Sequence, residues 1–452
     1  MNVSQQNVVQ EPARTLSAFS AIAIIVGIVV GAGIFKTPSM VAGVTGDAGW
    51  MVVAWILGGV ISLAGALCYA ELATTYPHAG GDYHFVARAF GKHLSFLYAW
   101  AKATVINTGS IALLAFVFGD YMSKAFSLGP HSVAIWAVTI VAVLTIVNLI
   151  GIHAASWVQT LLTIIEVSGL VCVAIAGFLV APEAPASPAL FSSTPSLGMF
   201  GLAMVFVLLT YGGWNEAAYI SAEVKGGRSA IVPVIVISIL ILTLVYVLVN
   251  IAMVAGLGMT GLAGSQAVAA DLMGKAFGPW GERVLGVFVA ISALTSINAT
   301  MIVGARTNYA LGRDWTALRF MGYWHAHRGS PIAAYCVQSV LSLALVGFGI
   351  WQTDGFEVMV EFTAPVFWLF LFLVGLSLFV MRIKDPLAER PFKVPLYPLT
   401  PILFCLTCAY LTYSSITYAA SKNAVHISLS VMAVGVVALF LTVRVKKNAA
   451  AG

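Results

Sequence analysis

The apolar segments of this chain constrain its fold more than any other feature. Its 452 residues are 60% hydrophobic and only 9% charged, which excludes a soluble globular domain. About 20 apolar residues are enough to cross the hydrocarbon core of a bilayer as one helix. On that measure we predict an all-α polytopic membrane protein with 12 transmembrane helices, numbered spans 1 to 12, at residues 17–43, 48–75, 93–124, 131–151, 154–181, 197–222, 230–258, 279–312, 331–351, 356–382, 395–418 and 424–445.

Basic residues are distributed unevenly between the two sides of this arrangement. Sixteen of the 22 Lys and Arg residues fall in segments on the side of the N-terminus and five on the other. Short loops rich in Lys and Arg stay in the cytoplasm. Residues 1–16 are polar with no cleavage site, so we interpret them as a cytoplasmic tail and not a signal peptide. We therefore expect both termini, including the tail 446–452, on the cytoplasmic side of the cell (inner) membrane.

Two of the predicted spans contain glycines near the middle of the membrane. Span 1 contains Gly27, Gly31 and Gly33, and span 6 contains Gly212 and Gly213. Glycine weakens a helix where no water can repair its hydrogen bonds, and irregular backbone at this depth is tolerated only where it lines a cavity. For span 1 alone, close helix packing through small residues is the competing interpretation.

The positions of these two interruptions indicate an internal symmetry. Spans 1 and 6 are five spans apart, so they cross the bilayer in opposite directions. Broken helices at matching places in two oppositely oriented halves are typical of secondary transporters built from inverted repeats. We predict a 5+5 inverted repeat of the leucine-transporter type, with a first repeat at residues 17–181, a second at 197–382, and two further helices at 395–445.

Four short motifs carry a family resemblance. They are Gly31-Ala32-Gly33-Ile34-Phe35, the segment 69–83 with Pro77 and Gly80-Gly81, Tyr211-Gly212-Gly213-Trp214-Asn215, and Arg390-Pro391-Phe392-Lys393-Val394-Pro395. Together they resemble the amino acid–polyamine–organocation (APC) superfamily, and the span 6 motif looks most like its L-type amino-acid transporter branch. The resemblance implies a secondary transporter of amino acids.

The interrupted helices predict how an amino acid would bind. The amides of Ala32, Gly33 and Ile34 open the second half of span 1 and would receive a carboxylate, while the carbonyls of Val29 and Leu209 would accept from an ammonium. The resemblance implies the same assignment. The predicted substrate-binding residues are Val29, Gly31, Ala32, Gly33, Ile34, Asn107, Leu209, Gly212 and Ser296.

Some positions depart from what the resemblance implies. Relatives often carry serine at Ala32 and an aromatic gate at Leu209, so Leu209 is either an aliphatic gate or ordinary core packing. We expect Trp214 to share the gate role and Glu216 to line the inner vestibule. Asn107 stands where relatives with acidic substrates carry arginine, which argues against a dicarboxylic amino acid.

Two ionisable residues lie within spans, where they are costly and therefore functional candidates. Lys102 lies in span 3 and Glu166 in span 5. The resemblance implies the opposite charge at each position, so we expect a swapped Lys102–Glu166 ion pair that senses or carries the coupling charge. A purely structural pair is the alternative. Sodium coordination by polar residues of span 8 is a weaker candidate for coupling than this pair, since hydroxyls in helices mostly bond their own backbone. The residues concerned are Ser292, Thr295, Ser296 and Asn298.

The remaining functional classes find little support in the sequence. All five cysteines lie in apolar runs and the eight histidines in or beside loops, so we expect no metal site and no cofactor. No paired histidines, Ser–His arrangement or nucleotide loop indicates an enzyme, and no repeated filter indicates a channel. We expect a stand-alone carrier of neutral amino acids, working by proton symport or exchange. A polyamine or cationic amino-acid carrier is the alternative.

Overall fold

The computed structural model describes residues 17–76, 81–150, 156–180, 190–216, 225, 230–325, 331–352, 354–421 and 425–451. The regular elements of this part of the chain are helices. Nine of the helices found there are long and apolar enough to cross a membrane, and shorter apolar helices are present in spans 5 and 6. The all-α polytopic architecture is therefore confirmed.

The helices coincide closely with the predicted spans. In chain order, spans 1 to 12 are formed by Ala18–Val29 with Gly33–Thr45, Ala48–Thr75, Lys92–Ala125, Ser132–Ile150, Ser156–Leu179, Leu197–Thr210 with Trp214–Glu216, Ile231–Gly264, Val268–Asp314, Ile332–Ile350, Gly355–Lys384, Leu399–Ser421 and Val425–Ala451. The limits of the two repeats stay a prediction.

Both predicted interruptions are present. Span 1 stops at Val29 and restarts at Gly33, and span 6 stops at Thr210 and continues after three residues as one 3₁₀ turn, Trp214–Glu216. The rest of predicted span 6, residues 217–222, lies outside the described residues. Span 1 packs against spans 5, 6, 7 and 8, so its break lies in the interior of the helix bundle.

Three features were not predicted from the sequence. The connection between spans 2 and 3 forms a helix, Gly81–Phe90, and span 3 contains a π-helical turn, Lys102–Ile106. Spans 7 and 8 are joined by a helical hairpin, residues 258–278, which we call the 7–8 hairpin. Gly258 and Gly278 at its two ends have φ of 69° and 71°. Since other residues rarely adopt this conformation, these glycines permit the changes of chain direction.

A buried carboxylate fixes the junction of spans 2, 10 and 11. Glu71, 1% exposed, accepts from Arg382 Nε at 2.8 Å and from a second Arg382 nitrogen at 2.6 Å. It also accepts from the Val394 amide at 2.7 Å and lies 3.5 Å from Arg390 Nε. Two arginines and a backbone amide thus compensate the burial of one carboxylate, and the motif at residues 390–395 is anchored through it.

Asp47 fixes the start of span 2 in a similar way. Its carboxylate accepts from the Trp50 amide, as a helix N-cap, and from the amides of Phe191 and Ser192 in the connection before span 6. Burial by itself raises the pKa of Asp47, but these hydrogen bonds and one from the Ser192 hydroxyl favour the ionised form and lower its pKa to about 2.

Candidate functional site

The two interruptions lie against each other. The Thr210 hydroxyl donates to the Thr37 hydroxyl at 2.8 Å, and a Cβ added at Gly33 would lie 3.6 Å from Thr210. Gly33 opens the second half of span 1, and its N-cap, Ala32, offers no side-chain acceptor to the first amides. The Phe35 amide donates to the Ala32 carbonyl at 3.2 Å, whereas the amides of Gly33 and Ile34 have no acceptor one turn earlier in the helix. These two amides therefore form a place where an anion is favoured.

A cavity of about 500 Å³ lies beside the two interruptions. Spans 1, 3, 6, 8 and 10 provide most of its lining, and Tyr69 and Asp82 complete it. Seven predicted substrate-binding residues line it, namely Val29, Gly31, Gly33, Asn107, Leu209, Gly212 and Ser296. Ala32 and Ile34 are fully buried and are not part of the lining, so their contact with a substrate stays a prediction.

Trp214 stands apart from this cavity. Trp214 is buried and packs edge-on against Tyr69 and Phe404, with ring centroids 5.1 and 6.1 Å away. It does not line the cavity, although Leu209 does. Glu216 ends the 3₁₀ turn, and its side chain lies outside the described part of the structure. Their gate and vestibule roles stay predictions.

Tyr246 of span 7 is a site residue that sequence reasoning missed. Its buried hydroxyl donates to the Val29 carbonyl at 3.0 Å and lies 3.4 Å from the Thr210 carbonyl. These carbonyls end the first helices of the two interrupted spans, and one hydroxyl proton serves only one of them at a time. Tyr246 therefore bridges both interruptions. The sequence did contain a signal for it, because a tyrosine within the apolar run of span 7 needs a hydrogen-bond partner for its hydroxyl.

Lys102 has a different acidic neighbour from the one expected. It lies in the π-helical turn of span 3 and lines the cavity beside Asp82 of the connecting helix Gly81–Phe90. Asp82 also accepts from the Tyr98 hydroxyl at 2.8 Å. Burial raises the pKa of Asp82 above its usual range, and the Lys102 charge and the Tyr98 hydrogen bond oppose that rise.

Glu166 is buried next to span 8, and the predicted Lys102–Glu166 ion pair is wrong. Its Oε1 accepts from the Thr295 hydroxyl at 3.2 Å, and its Oε2 has no hydrogen-bond partner in the described part of the chain. Within the described residues, no basic side chain forms an ion pair with Glu166. Lys102 instead lies beside Asp82, because the connecting helix folds back onto span 3. Thr295 lines the cavity, which places Glu166 one side chain away from it.

The polar residues of span 8 are divided between this cavity and the protein interior. Thr295 and Ser296 line the cavity, whereas Ser292 is buried and Asn298 accepts from the Asn148 amide group at 2.7 Å. Asn298 is thus engaged by span 4. The four residues do not converge on one cavity position, and among the described residues no cluster of His, Cys, Asp or Glu suits a metal ion.

Comparison with known proteins identifies the family. A family model described as amino acid permease matches residues 16–439. The chain belongs to the amino acid permease family. This places it in the APC superfamily, in the L-type branch, as a multi-pass membrane protein that transports amino acids and is not an enzyme.

Three relatives illustrate the breadth of the match. The permease is 31% identical over 416 residues to the b(0,+)-type amino acid transporter 1 of Mus musculus, covering 89% of this chain and 82% of the relative. It is 30% identical to the large neutral amino acids transporter small subunit 2 of Mus musculus, covering 95% and 81%. It is 29% identical to the cystine/glutamate transporter of Homo sapiens, covering 89% and 80%.

Proposed function

We propose that this permease carries neutral amino acids across the cell membrane by alternating access. The balance of charge in the cavity carries the proposal. Asp82 and Lys102 are the only charged side chains among the described residues that line it, and their charges are opposite. An amino acid with a neutral side chain is itself a zwitterion, so it adds no net charge to this low-dielectric space.

The two interruptions supply groups for both ends of the zwitterion. The amides that open the second half of span 1 would hold the carboxylate, and the carbonyls of Val29 and Leu209 would accept from the ammonium. Since Tyr246 already donates to the Val29 carbonyl, binding would redirect its hydroxyl to the Thr210 carbonyl, 3.4 Å away.

Spans 3 and 10 give the cavity an apolar wall that is suited to a large apolar side chain. On span 10 it consists of Val360, Phe367, Phe370, Leu371 and Val374, and on span 3 of Ile106, Leu113 and Leu114. Burying an apolar side chain against such a wall contributes about 1.5–3 kcal/mol. One relative is named for large neutral amino acids, which agrees with this assignment.

Glu166 is our candidate for proton coupling. A carboxylate buried without a cation costs more than its protonated form, and the Thr295 hydrogen bond connects Glu166 to the cavity lining. If Glu166 takes up and releases a proton in each cycle, transport is symport; if it does not, the carrier works as an exchanger.

Counterflow into proteoliposomes tests the substrate class. Vesicles preloaded with unlabelled leucine should accumulate labelled leucine, while vesicles preloaded with unlabelled putrescine or arginine should not accumulate the labelled form of the same compound. The competing assignment, a polyamine or cationic amino-acid carrier, is favoured by the unpaired Oε2 of Glu166 and predicts the reverse pattern. Because the purified chain is the only protein in the vesicles, activity there would also support a carrier without a partner subunit.

A further inference from the structure

Lys36 is a buried cation that the transport site does not use. It lies on the second half of span 1, three residues beyond Gly33, and is 1% exposed. Its ammonium donates to Asp120 Oδ2 of span 3 at 2.9 Å. It also donates to the backbone carbonyl of Gln266 at 3.1 Å and to Gln266 Oε1 at 2.5 Å. Lys36, Asp120 and Gln266 together are called the Lys36 cluster.

The cluster joins three separate parts of the fold. Asp120 belongs to span 3, and Gln266 lies at the tip of the 7–8 hairpin. The residues next to Lys36 and Asp120 are bonded as well, since the Tyr121 hydroxyl donates to the Phe35 carbonyl at 2.6 Å. The second half of span 1, which carries the amides at the interruption, is therefore attached to span 3 and to the hairpin.

The cluster lies next to one end of the cavity. Thr37 and Phe356 line the cavity, and the Lys36 ammonium lies 5.9 Å from the centroid of the Phe356 ring. Ile34, Phe35 and Phe356 are almost fully buried. If the second half of span 1 moves away from the hairpin to open this end, Lys36 separates from Gln266.

A second ionic contact between the hairpin and span 3 provides an internal comparison. Lys124 Nζ lies 2.8 Å from Asp271 Oδ1 and 3.6 Å from Glu282 Oε1. This contact is partly exposed and touches neither span 1 nor the cavity lining. It holds the hairpin without any connection to the substrate-binding amides.

We propose that Lys36 is a positioning residue for substrate occlusion. Its bonds to Gln266 hold the hairpin and the second half of span 1 together while this end of the cavity is closed, and they break when it opens. Its ion pair with Asp120 of span 3 is kept in both states. In the predicted orientation this end faces the outside of the cell. The proposal rests on transport by alternating access.

Cysteine accessibility without substrate tests the proposal directly. Val360→Cys places a thiol in the cavity wall, and a membrane-impermeant thiol reagent is added to each side of the membrane in turn, with the native five-cysteine protein as the blank. Lys36→Met removes the donors but keeps the length of the side chain. We expect it to raise outside labelling about tenfold, the effect of losing one or two charge-assisted hydrogen bonds.

Three further variants control the experiment. Lys36→Arg keeps the charge and should stay near the unsubstituted rate, and Lys124→Met should leave labelling unchanged. Gln266→Ala removes one acceptor with little risk to folding, and it should give an intermediate increase. Unchanged labelling in both Lys36→Met and Gln266→Ala would overturn the proposal, as would an equal increase in Lys124→Met.

Uptake kinetics separate positioning from simple damage. In Lys36→Met the KM for external substrate and the maximal rate should fall together, because the open state is favoured and closure is slowed. A merely destabilised protein would lose maximal rate at constant KM, which would contradict the proposal. If no neutral amino acid is transported at all, the proposed substrate fails, while the labelling result still decides the role of Lys36.

Discussion

The hydroxyl of Tyr246 donates a hydrogen bond to the carbonyl oxygen of Val29, 3.0 Å away. Because the same hydroxyl lies 3.4 Å from the Thr210 carbonyl, one side chain of span 7 connects the interruptions of spans 1 and 6. Since this contact links the two interruptions, we expect it to affect substrate binding.

Replacing Tyr246 by Phe should weaken substrate binding without unfolding the protein. The variant loses one buried hydrogen bond, worth about 1 kcal/mol, and the interruptions lose their shared donor. We expect the KM for neutral amino acids to rise about fivefold. Tyr211→Phe is the matched control, since its hydroxyl bonds the Trp55 carbonyl at 3.0 Å and neither interruption. A similar rise in the control would refute this role.

Glu166→Gln should abolish the dependence of uptake on external pH. If Glu166 carries the proton, uptake by the unsubstituted protein increases as external pH falls, and an amide cannot reproduce that response. Initial rates between pH 5 and 8 in proteoliposomes measure the effect. Glu361→Gln removes another buried carboxylate, one that does not line the cavity, and should keep the response. A pH-dependent Glu166→Gln variant would disprove the coupling role.

Changing either member of the Asp82 and Lys102 pair should shift selectivity in opposite directions. Asp82→Asn leaves a net positive charge in the cavity, so glutamate should inhibit leucine uptake more strongly than before. Lys102→Met leaves a negative charge, so arginine should become the better inhibitor. Inhibition constants for glutamate and arginine give the measurement, and the double variant should return towards the original preference. Parallel shifts in both single variants would contradict the charge-balance argument.

Glu71→Gln should destabilise the fold without acting on the cavity. It leaves Arg382 without its bidentate carboxylate and Arg390 without a nearby anion, and losing one partner of a buried ion pair costs about 3–5 kcal/mol. The apparent Tm of purified protein should therefore drop by several degrees. Asp385→Asn tests the neighbouring exposed contact, 3.4 Å from Arg88, and should change Tm little because surface ion pairs contribute about 0–1 kcal/mol. Equal Tm values for both variants would argue against a central role for Glu71.

The spans and their interruptions were predictable because they depend on local composition. Residue hydrophobicity locates a membrane helix, and Gly31, Gly33 and Gly212 mark where two of them break. Asn107 was expected near the substrate from the family resemblance and Ser296 from its polarity within span 8, and both line the cavity.

Partner choice between distant side chains was not predictable. Lys102 and Glu166 have opposite charges, yet Lys102 lies beside Asp82, because the connecting helix folds back against span 3. Tyr246 and Lys36 likewise depend on contacts across more than 80 residues of sequence. The periodicity of a sequence does not indicate such pairings. The 7–8 hairpin was not predictable either, because glycine permits the backbone angles at Gly258 and Gly278 but does not require them.

The π-helical turn at Lys102–Ile106 has a consequence for how this cavity could diverge between relatives. A π turn holds about one residue more than an α turn. Deleting a single residue there would restore a regular helix and rotate Lys102 by about 100° relative to Asn107. One codon lost or gained at this position would therefore remove the ammonium from the cavity or return it, while the rest of the helix kept its packing.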